Sequence, residues 1–144
     1  MENNYIMKKT NKILISVYGS LRQGLGNHAY HLGKAEYLGT FSTEPNFTLH
    51  SLGSYPGLKN DGYTSVVMEV YRVTDEEARL IDNLEGYNPN KESTFYDKQD
   101  LMTPWGLSSV YIYVNELQKS SIVSSGDWKK FKDSALSYNS LSNN

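Results

Sequence analysis

Residues 12–18 (KILISVY) form an apolar, β-branched run that stops at Gly19. Such a run reads as a buried strand. Residues 64–73 (TSVVMEVYRV) carry the same signature more strongly. Further strands are expected at 35–41, 47–52, 95–102 and 108–114, the last two joined by a Pro104-Trp105-Gly106 turn. Residues 52–63 (LGSYPGLKNDGY) are dense in turn formers and read as a loop. Helices are expected at 28–32 and 74–86, with a further short one after Gly126. Strands outnumber helices and no βαβαβ rhythm is present. The chain is therefore expected to be α+β, with a small mixed or antiparallel, β-barrel-like sheet and one or two packed helices.

The length of 144 residues suits one domain. Residues 12–138 are expected to form it, with disordered polar ends at 1–11 and 139–144. Lysine plus arginine number 14 against 16 aspartates and glutamates, which argues against a nucleic-acid-binding surface. Cysteine is absent, which excludes disulfides, zinc thiolates and thiol nucleophiles. This fits a reducing, cytoplasmic setting. No apolar run approaches the roughly 18 residues of a membrane span. The first residues lack the apolar core of a secretory signal, and none is expected.

Three glycines, Gly19, Gly24 and Gly26, follow the first strand within eight residues. The exposed amides of such a loop attract anions. A Walker loop fails here, because Leu25 stands where lysine is required. A dinucleotide fingerprint on Gly24, Gly26 and Ala29 starts too far from the strand end and lacks the βαβ context. A loop without a ligand is the plain alternative.

Thr74 and Glu77 make a capping box at the start of the second helix. With about 100° per residue and Ala78 as origin, Leu80, Leu84 and Ile81 fall at roughly 200°, 240° and 300°, and Glu85 at roughly 340°. Glu85 thus lies on the apolar arc, in the last turn, just before Gly86. Arg79, Asp82 and Asn83 are assigned to the solvated face. Burial and the negative end of the helix both raise the pKa of an inward glutamate. A raised carboxylate suits a general base that later acts as an acid. A glutamate bending out to solvent, or pairing with a lysine, is the other reading of the same pattern.

Loop and helix together resemble the gamma-glutamylcyclotransferase-like family, nearest its short gamma-glutamylamine cyclotransferase branch. Val17-Tyr18-Gly19-Ser20-Leu21-Arg22-Gln23-Gly24, then Asn27-His28, matches the family's first-strand motif. Ile81-Asp82-Asn83-Leu84-Glu85-Gly86-Tyr87 matches the segment bearing its catalytic glutamate. Ser54-Tyr55-Pro56, Tyr96-Asp97-Lys98 and Gly126-Asp127-Trp128 follow in family order. Two departures stand out. Met68 precedes Glu69 where glycine is frequent, which is expected to narrow the site, and Lys98 replaces a common arginine.

The resemblance implies cyclisation of a small-molecule γ-glutamyl substrate. The α-amine attacks its own γ-carbonyl, 5-oxoproline forms and an amine leaves, with no metal or organic cofactor. Glu85 would be the general base and acid. Tyr18, Gly19, Ser20 and Leu21 would bind the substrate, the loop amides holding its α-carboxylate. Arg22 and Glu69 are further candidates, Arg22 more readily as a solvated structural residue. His28 is expected to cap the following helix, and Tyr111 and Tyr113 to be packing residues, a reach of one of them into the pocket being the alternative. Segments 52–63 and 87–94 are expected to select the leaving group. No membrane or nucleic-acid partner is implied, and the pattern is compatible with a monomer or a homodimer. The other readings are a non-catalytic pocket that sequesters a small anionic metabolite, deprotection of a γ-glutamylated biosynthetic intermediate, and a protein-interaction module.

Overall fold

The computed structural model describes residues 12–90 and 95–134. The ends expected to be disordered, 1–11 and 139–144, and the domain limit at 138 lie outside the described residues. The strands are β1 (Lys12–Val17), β2 (Glu36–Ser42), β3 (Phe47–Ser51), β4 (Pro56–Thr64), β5 (Val67–Thr74), β6 (Tyr96–Thr103) and β7 (Gly106–Tyr113). Two helices, α1 (His28–Leu32) and α2 (Asp75–Glu85), lie between them. A 3-10 turn occupies Lys119–Ser121, and residues 128–134 are helical.

Five strands form one sheet in the order β2-β5-β1-β7-β6, and β3 pairs with β4 in a separate hairpin. The sheet is mixed. β1 runs antiparallel to β5 and parallel to β7. This is the expected α+β class.

Both faces of the sheet are covered, which explains why β1 and β5 read as nearly continuous apolar runs. Ile15, Val17, Tyr71 and Val73 pack with Leu32 of α1 and with Ala78 and Ile81 of α2. On the other side Met68 and Val110 pack with Phe47, Leu49 and Leu58 of the hairpin and with Trp128. The buried hydroxyls of Ser16 and Ser108 satisfy each other at 2.7 Å.

Helix α2 has well-defined ends. The Glu77 N–H donates to Thr74 Oγ1 at 3.1 Å, and the Thr74 N–H donates to Glu77 Oε1 at 2.8 Å, completing the capping box. At the other end Gly86 takes φ 72°, ψ 24°. Its N–H donates to the Asn83 carbonyl and that of Tyr87 to the Asp82 carbonyl, a Schellman closure. A side chain with a Cβ is strained at this left-handed position, so the glycine fixes where the helix stops.

Three expectations are corrected. Segment 52–63 is not all loop, because residues from Pro56 onward form β4. The turn chemistry is still there, but it acts inside the hairpin: Thr48 pairs with Lys59 and Phe47 with Thr64, so residues 60–63 bulge out of the ladder. The strand expected at 64–73 is split. Val66 leaves the ladder to bond Thr43, and Val67 starts the next strand with its N–H on the Gly126 carbonyl. On α2 the buried face is narrower and rotated from the expected arc. Leu80 and Leu84 are exposed, whereas Asp82 is half-buried. It turns inward because Lys98 and the Tyr111 hydroxyl await it there.

Among the described residues no helix is long and apolar enough to cross a membrane. Thr74→Ala is expected to lower stability by about 1 kcal/mol through loss of the cap, read as a reduced midpoint in urea unfolding with an unchanged slope.

Candidate active site

The glycine loop leaves the carboxyl end of β1 and folds back on itself. The Arg22 N–H donates to the Gly19 carbonyl at 2.9 Å, and that of Asn27 donates to the Ser20 carbonyl at 3.0 Å. The Asn27 side-chain amide donates to Ser20 Oγ at 2.8 Å, and His28 Nδ1 donates to the Leu21 carbonyl at 2.9 Å. His28 therefore braces the loop, and the expected capping role is corrected: Asn27 occupies the cap, without a side-chain capping bond. Gly19 lies so close to Pro56 that a Cβ would stand 2.7 Å from the ring Cγ.

A buried ionic cluster fixes the loop from behind. Arg22 Nε donates to Glu69 Oε2 at 3.0 Å, and its Nη1 donates to Asp127 Oδ1 at 2.9 Å. Glu69 Oε1 accepts the Gln23 N–H and the Tyr71 hydroxyl, both at 2.8 Å. Lys129 approaches Glu69 at 3.4 Å. Burial pushes the Glu69 carboxyl up, but the Gln23, Arg22 and Tyr71 hydrogen bonds outweigh it and hold the group below its ordinary value. The same balance, with Arg22 as chief partner, lowers Asp127.

In front of the loop is a cavity of about 310 Å³. Val17, Tyr18, Gly19, Ser20 and Leu21 form one part of its wall, and Tyr96, Tyr111 and Glu85 another. Burial raises the Glu85 carboxyl to about 7. Glu85 receives no hydrogen bond from the other described residues. The three tyrosines turn their hydroxyls elsewhere. Tyr18 donates to the Tyr111 carbonyl at 2.7 Å, Tyr96 to the Pro56 carbonyl at 2.6 Å, and Tyr111 to Asp82 Oδ1. Burial pushes all three phenols above their ordinary value, reinforced at Tyr111 by its bond to the Asp82 carboxylate and at all three by the Glu85 charge. They remain neutral where Glu85 titrates. The cavity thus holds one carboxyl able to exchange a proton near neutrality, in a lining that it shares with Tyr18, Tyr96 and Tyr111.

The family model for gamma-glutamyl cyclotransferase, AIG2-like proteins matches residues 15–130. The chain belongs to this family. A Vibrio cholerae protein with the provisional name gamma-glutamylcyclotransferase is 39% identical over 115 residues, spanning 80% of this chain and 94% of its own. The gamma-glutamylcyclotransferase family protein YtfP of Escherichia coli K12 is 36% identical over 114 residues, 79% of this chain and 94% of its own. The crystal structure of an uncharacterized Pyrococcus horikoshii protein superposes with a TM-score of 0.72 at 25% identity, covering 85% of this chain and 95% of that one.

In this family member, the sequence candidates separate into two groups. Tyr18, Gly19, Ser20, Leu21 and Glu85 share the cavity. Arg22 and Glu69 lie outside its lining and face each other instead. Arg22 is structural, as expected, but it is buried and not solvated. Met68 is a core residue of the far face and does not narrow the site. Of the two expected selecting segments, 52–63 contributes Tyr55 and Pro56; in 87–94, residues 87–90 contribute nothing to the lining and 91–94 lie outside the described residues. Tyr96 was missed as a wall residue. The only sequence signal for it was its place in the Tyr96-Asp97-Lys98 segment. Lys98 itself holds Asp82 at 2.8 Å, and Asp82 holds Tyr111.

Two outcomes are expected. Arg22→Ala and Glu69→Ala should each cost about 3–5 kcal/mol in urea unfolding, because each leaves a buried charge without its partner; the double variant should cost less than the sum. The Glu69 contribution should be present above the unfolded carboxylate pKa and fade as pH falls through the lower folded value. Glu85 has the opposite sign. Its folded pKa of about 7 exceeds the unfolded value, so its ionisation destabilises the fold progressively as pH rises towards about 7. Glu85→Gln should therefore be more stable than wild type at pH 8, by on the order of 2–3 kcal/mol, with the gain vanishing at pH 4.

Proposed function

We propose that this protein is a cofactor-independent γ-glutamyl cyclotransferase that releases 5-oxoproline and an amine from a γ-glutamyl amine or peptide. The observation that carries the reading is the pairing inside one cavity. An unpartnered Glu85 with a pKa of about 7 shares it with a loop whose Gly19, Ser20 and Leu21 N–H groups have no acceptor among the described residues.

The substrate's α-carboxylate accepts hydrogen bonds from those loop amides, an arrangement suited to an anion. Its α-ammonium lies near the Glu85 carboxylate, with tyrosine ring faces around it as favourable neighbours for a cation. Glu85 removes a proton from the ammonium. The freed nitrogen attacks the γ-carbonyl, already tethered at the distance of a five-membered ring, so orientation carries much of the rate. A C–N bond closes the lactam and the C–N bond to the leaving amine breaks. The ammonium begins with three hydrogens: one stays on the lactam nitrogen, and two end on the departing nitrogen, delivered by way of Glu85. A carboxyl with a pKa close to the working pH can both accept and return these protons.

The neighbouring tyrosines keep that cycle confined to one group. Their phenols are pushed up and their hydroxyl hydrogens are committed to carbonyls or to Asp82. An inward carboxylate gives no advantage to a protein that merely sequesters an anion, and so favours catalysis over storage.

The test is 5-oxoproline release from γ-glutamyl-alanine, γ-glutamyl-ε-lysine and glutathione. Glu85→Gln should reduce release at least ~100-fold, in line with loss of a general acid–base group. The wild-type kcat/KM should rise with pH through about 7 as Glu85 ionises. Binding of these compounds by folded wild type without any release would instead indicate a sequestering pocket.

A further inference from the structure

The cavity has a depth gradient in its chemistry. Its floor is buried: Ser16, Tyr18, Leu21, Tyr96 and Tyr111 are each nearly inaccessible. Its mouth is formed by the lining residues that remain open to solvent, Tyr55 at 43%, Leu84 at 41% and Phe95 at 46% exposure. These come from three separate parts of the chain and meet at one opening. Phe95 lies over the end of α2, where a Cβ on Gly86 would stand 3.6 Å from its ring. It is therefore beside Glu85. Single exposed apolar side chains are ordinary, but convergence of three on the rim of one cavity marks a contact surface.

Charge at the mouth points the same way. Among the described lining residues Glu85 is the only ionisable group besides tyrosine, and no lysine, arginine or histidine lines the cavity. Among the described residues, Lys98 pairs with Asp82, and Lys59 donates to the Tyr113 and Asn115 carbonyls. A leaving group bearing its own carboxylate would meet no cation among the described lining residues and would sit near the Glu85 charge, with a cost in affinity.

Resting on the cyclotransferase reading, we propose that the preferred leaving group is an uncharged apolar amine, alkyl or aryl, whose body lies against Tyr55, Leu84 and Phe95. The substrate class is then the γ-glutamyl amides of hydrophobic primary amines, in preference to γ-glutamyl dipeptides or glutathione. The orientation follows from the reaction. If the glutamyl head occupies the loop end of the cavity and the γ-carbonyl lies at Glu85, the amine nitrogen's substituent extends outward past the rim.

The experiment compares γ-glutamyl-benzylamide with γ-glutamyl-alanine, using γ-glutamyl-methylamide as the minimal substrate. The benzylamide should have a kcat/KM at least ~10-fold above that of γ-glutamyl-alanine, within the range one apolar contact gives. Leu84→Ala and Phe95→Ala should lower the benzylamide-to-alanine ratio. A purely structural role for these side chains would lower both rates together and leave the ratio intact. A wild-type ratio of one or below, or a ratio insensitive to both substitutions, overturns the proposal. Calorimetric binding of the same two amides to Glu85→Gln reads the preference without turnover. If no amide yields 5-oxoproline, the cyclotransferase reading fails on its own. The binding ratio then still decides the mouth's preference: tighter binding of the benzylamide supports it, and equal or absent binding overturns it.

Discussion

The buried guanidinium of Arg22 is the junction on which the site's geometry depends. It joins three parts of the chain that are far apart in sequence: the glycine loop that contains it, Glu69 in β5, and Asp127 next to the tail helix. Glu69 adds a second tie to the loop through the Gln23 N–H. A loop with three glycines in eight residues has many conformations to lose, and local bonds alone hold it weakly. The ion pair removes that freedom. Its net contribution to stability need not be large, since desolvation offsets most of the attraction. Its contribution to uniqueness is direct, because other placements of the loop leave Glu69 buried with an unfilled acceptor.

The same fold holds a second buried carboxylate in the opposite electrostatic condition. Glu69 is surrounded by donors and stays ionised. Glu85 has no donor among the described residues, and burial shifts it towards neutrality. The contrast separates a donor-satisfied acid from an unpartnered one more clearly than burial does, since Glu69 is the more deeply buried of the two by exposed surface. Helix α2 keeps Glu85 in this unfavourable setting because its ends are over-determined. The capping box fixes the start, and the Schellman closure at Gly86 fixes the stop one residue after Glu85. Ala78 and Ile81 anchor the face between them.

Much of this was legible in the residues. Strand β1 and its stop, the capping box, the end of α2 at Gly86 and the inward setting of Glu85 all rest on local chemistry, where sequence patterns are strongest. What was missed depends on partners distant in the chain. Asp82 lies at roughly 40° on the wheel, next to Ala78 and well within reach of the core, and only its charge suggested solvent. Its inward turn needs Lys98 and Tyr111, which arrive on β6 and β7. Arg22 looked solvated for the same reason, with its partners 47 and 105 residues away. Strand β4 was hidden by its own turn residues, which act as a bulge within a hairpin that pairing with β3 imposes.

The tyrosines show how a site can be polar in composition and nearly apolar in effect. Tyr18, Tyr96 and Tyr111 bring three hydroxyls to the neighbourhood of one carboxylate, yet each donates to something else. Had one of them donated to Glu85, it would have stabilised the ionised form and drawn its pKa down towards that of Glu69. Directing the hydroxyls into the backbone and into Asp82 leaves the carboxyl without a donor among the described residues. Asp82 and Lys98 bear on Glu85 without lining the cavity, because they engage the Tyr111 hydroxyl elsewhere. Burial raises the pKa of Glu85, and because its neighbours' hydrogen bonds go elsewhere that rise is left unopposed.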